Sequence, residues 1–191
     1  RAHMQQTIFS LLVLIAILPL SAAESLMSTA VHRRPVALEI HVPSNQLFVL
    51  NQRAATVSIV DMEQQTVTGE IAIGGAPSDM ERIVRSDLIA IANQANHVIS
   101  LFTVSKNHLV HIHDIPCCHY PIQLRYDPES SLMYVAGLWS RQLAVAKIDR
   151  DSPEKSKLLQ ILDLPYAPRK MVTLADHDKM IVADAYGGTL G

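Results

Sequence analysis

Six histidine and cysteine residues lie close together in the middle of the chain, and their side chains are suited to binding metal ions. They are His108, His111, His113, Cys117, Cys118 and His119. Neutral imidazole and thiolate are common ligands of zinc and copper. His111 and His113 are two positions apart, and residues two apart project from the same face of a β-strand. This spacing predicts a candidate metal site at His111 and His113, with a solvated edge strand as the alternative interpretation.

The same segment lacks a complete haem-attachment motif. Covalent haem requires C-x-x-C-H, in which two thiols bond the vinyl groups and the histidine is an axial ligand. Cys118 and His119 match the end of this motif, but Ile115 occupies the position of the first thiol. We therefore predict no cofactor within these 191 residues and expect haem only in a region beyond residue 191.

The composition and the missing catalytic motifs exclude several classes of protein. The sequence contains no G-x-S-x-G, Walker or H-E-x-x-H motif. A formal net charge of −2 supplies no basic stripe for nucleic acid. With 49% hydrophobic and 18% charged residues, the chain is not a disordered tail. These observations favour a folded protein that binds a partner or ligand and is not an enzyme.

The N-terminal segment is predicted to be a leader and not part of the fold. Residues 8–18 read IFSLLVLIAIL, an apolar run of eleven, whereas a membrane span needs about 20. Small residues precede the expected cleavage site between Ala23 and Glu24. Met4 is then the natural start, with residues 1–3 as stray sequence. The mature chain is predicted to be exported without a stable membrane span; an uncleaved anchor is the alternative.

The remaining sequence is repetitive, and four prolines mark the repeat. Their spacings are 42, 44 and 47 residues, and they are Pro35, Pro77, Pro121 and Pro168. Sixteen residues after each proline stands a turn-forming residue, namely Asn51, Asn93, Gly137 and Asp184. A short apolar run precedes each turn-forming residue, as expected for a buried strand. Self-similarity with this period indicates a repeat architecture.

Each repeat contains four short strand-like stretches bounded by turn residues. Four strands in about 40–45 residues match one blade of a β-propeller. We therefore predict an all-β fold of four-stranded antiparallel blades, preceded by a linker at 24–34. The predicted blades are 35–76, 77–120, 121–167 and a truncated 168–191, or about three and a half blades of an incomplete ring.

Aligning the repeats also predicts where individual side chains lie. Cys117 shares the position of Ile73 and Leu164, which indicates a buried apolar site. The histidine pair falls on the last strand of a blade, which favours an exposed edge. The fourth residue after each of the first three prolines is charged, and we expect it on the exposed side of the first strand. These residues are Glu39, Glu81 and Arg125.

The first repeat resembles a known family. The segment LFVLNQRAATVSIVDMEQQTVTGEIAIGGAP at 47–77 is similar to the YVTN-type β-propeller repeat of exported and surface-layer proteins. The later copies lack the Asp-Gly turn of that pattern, and the second and third lose the Gly pair before the proline. The resemblance implies the propeller fold for 35–191. It leaves the function open, because propellers serve binding, scaffolding and catalysis.

The same resemblance implies a binding face. In similar propellers, the loops that enter each blade surround the mouth of a central channel. His119 aligns with Gly75 and Tyr166 in these loops. The predicted face for a protein or small-molecule partner consists of His119, Tyr120, Tyr166, Arg169 and Trp139. The alternatives are ordinary loop residues and, for Trp139, packing between blades.

Three functions remain open from the sequence. The first is an exported, non-enzymatic binding module. The second is the propeller scaffold of a larger periplasmic redox protein, since propellers resembling this repeat are sometimes fused to c-type cytochrome or di-haem peroxidase domains. The third is a lactonase-like enzyme with Ca²⁺ in the channel, held by acidic and asparagine side chains.

Overall fold

A computed structural model of the protein describes residues 32–105, 108–174 and 179–188. The predicted leader and its cleavage site between Ala23 and Glu24 lie outside these residues, so that prediction stays untested. Within the described segments, we find no helix that is long and apolar enough to cross a membrane.

The described chain consists of fourteen β-strands in four sheets, which we call blades 1 to 4. Blade 1 contains β1 (Pro35–His41), β2 (Gln46–Asn51), β3 (Thr56–Asp61) and β4 (Thr66–Ala72). Blade 2 contains β5 (Pro77–Ile83), β6 (Leu88–Asn93), β7 (Val98–Ser105) and β8 (His108–Pro116). Blade 3 contains β9 (Pro121–Asp127), β10 (Leu132–Gly137), β11 (Gln142–Lys147) and β12 (Lys157–Asp163). Blade 4 contains β13 (Pro168–Thr173) and β14 (Met180–Asp184). Short 3₁₀ turns occur at Val42–Ser44 and Pro153–Lys155.

Within every blade, consecutive strands pair antiparallel in chain order. This confirms the all-β fold of four-stranded antiparallel sheets expected from the repeat. Each of the four prolines begins the first strand of its blade. That position suits proline, because the first residue of an edge strand need not donate a ladder hydrogen bond.

The blades pack face to face, and the hydrophobic core lies between them. One cluster joins blades 1 and 2 and includes Phe48, Ile59 and Ile89. A second cluster joins blades 2 and 3, and a small third cluster joins blades 3 and 4. All six residues of β6 are buried. A strand covered on both faces reads as a continuous apolar run, which explains the sequence LIAIAN.

The turns at one end of the blades share a serine. Ser44 contacts the ring of His41, Ser86 Oγ donates to the carbonyl of Ile83, and Ser130 Oγ donates to Asp127. In each case the serine bonds to the residue three positions earlier. This recurrence is typical of serine in turns. In blade 1, Nε2 of His41 also lies 3.2 Å from Oδ1 of Asp87 in the next blade.

Candidate functional site

The loops predicted to bind a partner all lie at one end of the sheets. In blade 1, the cross-strand pairs at one end of the sheet are Pro35 with Asn51, Asn51 with Thr56 and Thr56 with Ala72. The start of the first strand is therefore beside the β2–β3 loop and the end of the last strand. The same register holds in the next two blades. We call this end the loop end.

A cleft of about 270 Å³ opens at the loop end, and we call it the mouth cleft. All four blades contribute to its wall. The lining residues are Arg34, Val36, Gln52, Ser78, Gln94, Ile122, Leu138, Arg169 and Lys170. Four of them directly follow the repeat prolines, so the cleft is built from equivalent positions of successive blades. The sequence prediction placed Arg169 here and missed Arg34 and Lys170.

The mouth cleft carries positive charge that is only partly balanced. Arg34 and Arg169 pair with no carboxylate in the part of the chain that the structure describes. Lys170 interacts with Asp79. Burial raises the pKa of the Asp79 carboxyl group, and the lysine charge lowers it in part. Uncompensated cations in a concave surface attract anions.

Below the mouth, the first strands carry charged side chains at their shared repeat position. They were expected on an exposed side, but Glu39, Glu81 and Arg125 are each partly buried, because each first strand lies beside that of the next blade. Nη1 of Arg125 donates to Oε2 of Glu81 over 2.8 Å, and Nε of Arg125 donates to the carbonyl of Met171 over 3.2 Å. Burial and, to a smaller extent, the neighbouring Glu81 carboxylate raise the pKa of Glu39 to about 7, while the Arg82 charge opposes the shift. These groups lie further along the first strands than the residues that line the mouth cleft.

Polar side chains also connect the first strands of neighbouring blades. Oδ2 of Asp79 accepts a hydrogen bond from the backbone N–H of Leu124 at 2.8 Å. At the same repeat position in the next blade, Oε1 of Gln123 accepts from the backbone N–H of Met171 at 2.6 Å. The first strand is the edge of its sheet, so its outward N–H groups need such acceptors. These bonds fix the wall of the channel.

His119 and Tyr120 come together with His97, which the sequence prediction missed. The rings of His97 and His119 have centroids 4.4 Å apart, and those of His97 and Tyr120 are 5.4 Å apart. Nδ1 of His97 accepts the backbone N–H of Tyr120 at 3.3 Å. Because Nδ1 accepts, the neutral ring carries its proton on Nε2, and this nitrogen is not free to ligate a metal. The available signal was positional: His97 has a left-handed φ of 57° at the repeat position of Ala55 and Arg141.

Trp139 forms an exposed aromatic pair with Tyr186 of the next blade. Their ring centroids are 6.1 Å apart, at an angle of 35° between the planes. Both residues stand two positions after the turn-forming residue of their repeats. Trp139 is 65% exposed, so it is not enclosed between blades.

Tyr166 lies apart from these groups. Its side chain is partly buried and packs on the small cluster of Ala136, Met171 and Val182 between blades 3 and 4. The predicted face is thus divided into a histidine–tyrosine group, an aromatic pair, a cationic cleft and one packing residue.

His111 and His113 lie on the edge strand β8, and each has its own partner. Nε2 of His111 is 2.9 Å from Oδ1 of Asp114, and Nε2 of His113 is 3.2 Å from the carbonyl oxygen of Ser156. A register irregularity falls between them, because His113 pairs with Leu101 and His111 with Phe102. Within the described residues, no group of three or more metal-ligating side chains occurs. Metal binding by this pair stays a prediction.

Cys117 and Cys118 are buried free thiols. Sγ of Cys118 lies 3.6 Å from the carbonyl oxygen of Val135. A Cβ atom on Gly137 would stand 2.9 Å from this sulfur, so glycine makes room for the thiol. Between blades 1 and 2, the side chain of Asn93, at the repeat position of Gly137, packs against Gly75, at the repeat position of His119.

Several solved structures share this arrangement of blades. Hydrazine synthase of Kuenenia stuttgartiensis matches with a TM-score of 0.68 at 20% identity, over 82% of this chain and 44% of that one. The periplasmic gluconolactonase PpgL of Pseudomonas aeruginosa matches with a TM-score of 0.65 at 12% identity, over 85% of this chain and 55% of that one. The dihydro-heme d1 dehydrogenase NirN matches with a TM-score of 0.63 at 12% identity, over 80% of this chain and 33% of that one.

The fold is a β-propeller. The propeller blades were predicted from the repeat, and these structural matches confirm them. At such low identities the likeness concerns the fold alone. The chain spans about half the length, or less, of the solved structures that it matches. No family model matches the chain, and no curated sequence is detectably similar to it.

Proposed function

We propose that this chain is an exported β-propeller binding module, without catalytic activity of its own, that takes an anionic ligand in the mouth cleft. The observation that carries the proposal is the position of Arg34 and Arg169, two cations from different blades that line one cleft and pair with no carboxylate among the described residues. Clefts lined by one sign of charge concentrate ligands of the opposite sign.

The acidic groups below the mouth support binding at the rim and not deep in the channel. The Glu81 carboxylate would repel an anion that moved further in, and its partner Arg125 is already engaged. Glu39, whose pKa is about 7, adds to this repulsion only in its ionised form. A pocket with a few fixed polar groups and apolar residues between them is typical of ligand sites. Val36, Ile122 and Leu138 supply the apolar part here.

Citrate is a suitable probe, because it is a compact anion without a flat ring. We expect isothermal titration calorimetry to detect citrate binding to the 191-residue chain, and the double substitution Arg169→Gln with Lys170→Gln to weaken it at least fivefold. Lys155→Gln, in the exposed 3₁₀ turn Pro153–Lys155 far along blade 3, is the matched control. No binding up to about 10 mM citrate, or equal loss in the control, would contradict the proposal.

A second candidate is a propeller scaffold within a larger periplasmic redox protein that carries c-type cytochrome or di-haem peroxidase domains. It is supported by the likeness to a protein described as a dihydro-heme d1 dehydrogenase in complex with DHE. Sequencing the gene beyond Gly191 distinguishes the two candidates. C-x-x-C-H motifs there would favour the redox scaffold, and further blades followed by a stop codon would favour the binding module.

Export and the YVTN-type repeat are parts of the same proposal. The apolar run at 8–18 and the likeness to a periplasmic gluconolactonase support export. The sequence at 47–77 supports the assignment to YVTN-type repeats. Expression in a bacterial host with N-terminal sequencing of the periplasmic fraction tests the first point. A mature N-terminus at Glu24 is the expected result, and retention in the cytoplasm would overturn it.

A further inference from the structure

The exposed pair of Trp139 and Tyr186 suggests a second feature of the ligand. The two side chains are 65% and 68% exposed, although large aromatic side chains are costly to leave in water. Tryptophan and tyrosine are the residues most enriched at binding hot spots. The pair therefore offers an aromatic surface of two rings to a ligand at the loop end.

Hydrogen bonds order the backbone beside each ring. The carboxylate of Asp184 accepts the N–H groups of Tyr186 and Gly187, at 3.1 and 2.8 Å. On the other side, Oγ of Ser140, directly after Trp139, donates to the carbonyl of His119 at 2.9 Å. Because this backbone is ordered before binding, only the side-chain rotamers of the two rings lose freedom when a ligand arrives.

The aromatic pair adjoins the mouth cleft. Leu138, which lines the cleft, immediately precedes Trp139. Arg169 lies on the cleft wall and directly follows Pro168 in the sequence. Pro168 pairs with Asp184 across the sheet, and Tyr186 comes two residues after Asp184. The aromatic pair and the unpaired cation thus belong to neighbouring positions of blades 3 and 4.

We infer that the mouth cleft and the pair of Trp139 and Tyr186 form one site for a flat, anionic ring compound. The ring stacks on the aromatic pair, and its carboxylate or other acidic group reaches Arg169 and Lys170. This inference rests on the proposed function and adds the shape of the ligand to its charge. Stacking on an aromatic face adds affinity beyond the area buried, and a flat ring also covers more of that face than a puckered one, so the site should discriminate flat from puckered anions.

Two dicarboxylates of equal charge test the shape requirement. Naphthalene-2,6-dicarboxylate is flat, and trans-cyclohexane-1,4-dicarboxylate is puckered. We expect calorimetry to show at least tenfold tighter binding of the flat compound. Tyr186→Ser should reduce this preference to less than threefold, whereas Leu159→Ser, at a 52% exposed position on β12, should leave it unchanged.

A spectroscopic readout locates the ligand independently of the variants. Trp139 is the single tryptophan of the chain, so its indole N–H gives one peak in a ¹H–¹⁵N correlation spectrum. The flat compound should shift this peak at saturation, and the puckered one should not. If the two dicarboxylates bound with equal affinity while citrate still bound to the cleft, the inference would be overturned and the proposed function would stand. If neither dicarboxylate nor citrate bound, both proposals would fail.

Discussion

Arg125 and Glu81 join two neighbouring blades at the channel wall, with 2.8 Å between Nη1 and Oε2. The same guanidinium donates from Nε to the carbonyl of Met171 in the next blade. One side chain on β9 therefore connects blades 2, 3 and 4. The pair is 44 residues apart in sequence, one repeat, so the repeat period itself brings the two side chains together.

Removing the arginine should destabilise the blades. Arg125→Ala leaves the Glu81 carboxylate, whose side chain is 17% exposed, without its cation. We expect a loss of about 2–3 kcal/mol in the free energy of unfolding, below the value for a fully buried pair because Arg125 is partly exposed. Urea denaturation of the variant and the wild type measures this loss.

Arg85→Ala is the matched control for this experiment. Arg85 and Glu129 form a similar pair between blades 2 and 3, but both side chains are more than 60% exposed. Exposed pairs of this kind contribute about 0–1 kcal/mol. If Arg85→Ala lowered the free energy of unfolding as much as Arg125→Ala, burial would not determine how much these ion pairs contribute.

Glu39 should make the stability depend on pH. In the unfolded chain its carboxyl group ionises near its ordinary pKa of 4.5, whereas burial and the Glu81 carboxylate raise the pKa to about 7 in the folded chain. Between these values the folded state keeps a proton that the unfolded state has released. The contribution of Glu39 is therefore fully present below about pH 4.5 and is lost as the pH rises through about 7.

Glu39→Gln mimics the protonated carboxyl group and should remove this dependence. We expect the variant to match the wild type at pH 4 and to exceed it at pH 8 by about 1–2 kcal/mol, since partial exposure screens the effect. Guanidinium denaturation at both pH values provides the measurement, with the exposed Glu63→Gln as control. A variant less stable than the wild type at pH 8 would contradict the assignment.

Gly75 and Asn93 should behave as a coupled pair. A Cβ on Gly75 would come within 2.4 Å of the Asn93 amide, and the glycine has a left-handed φ of 63°. Gly75→Ala should therefore lower the free energy of unfolding by about 2–3 kcal/mol. Asn93→Ala removes the acceptor for the N–H groups of Ala76 and Ala95 and should cost about 1–2 kcal/mol.

The double variant tests the contact between them. Because Asn93→Ala removes the clashing amide, adding Gly75→Ala to it should cost less than in the wild type, and only the backbone strain should remain. Thermal denaturation of the four proteins gives the coupling energy. Strictly additive losses would show that the amide does not limit this position.

Gln123 provides the clearest test of the bonds between first strands. It is 1% exposed, and its Oε1 accepts the N–H of the fully buried Met171. Gln123→Ala leaves that donor unsatisfied and should cost about 2–3 kcal/mol. Gln123→Met, which keeps the volume without the acceptor, should recover only the packing part. Full recovery by methionine in urea denaturation would argue against the hydrogen bond.

Much of the candidate site followed from the repeat, and part of it did not. The alignment of Glu39, Glu81 and Arg125 predicted charged residues along the first strands, and the structure places them there. His97 and Tyr186 escaped prediction, because their repeat positions hold different residue types in the other blades and so show no recurring chemistry. They belong to the candidate site only because His97 contacts His119 and Tyr186 contacts Trp139.

The sequence by itself determined the blades. Turn residues at fixed distances from each proline, and apolar runs between them, decide where strands begin, end and pair, because these preferences act over a few residues. Only the tertiary structure decided how the blades meet. It set His119 beside His97 and Trp139 beside Tyr186, and it left Arg34 and Arg169 unpaired in one cleft among the described residues. Such contacts join residues from different turns or repeats, so they depend on the packing of whole sheets and not on local preference.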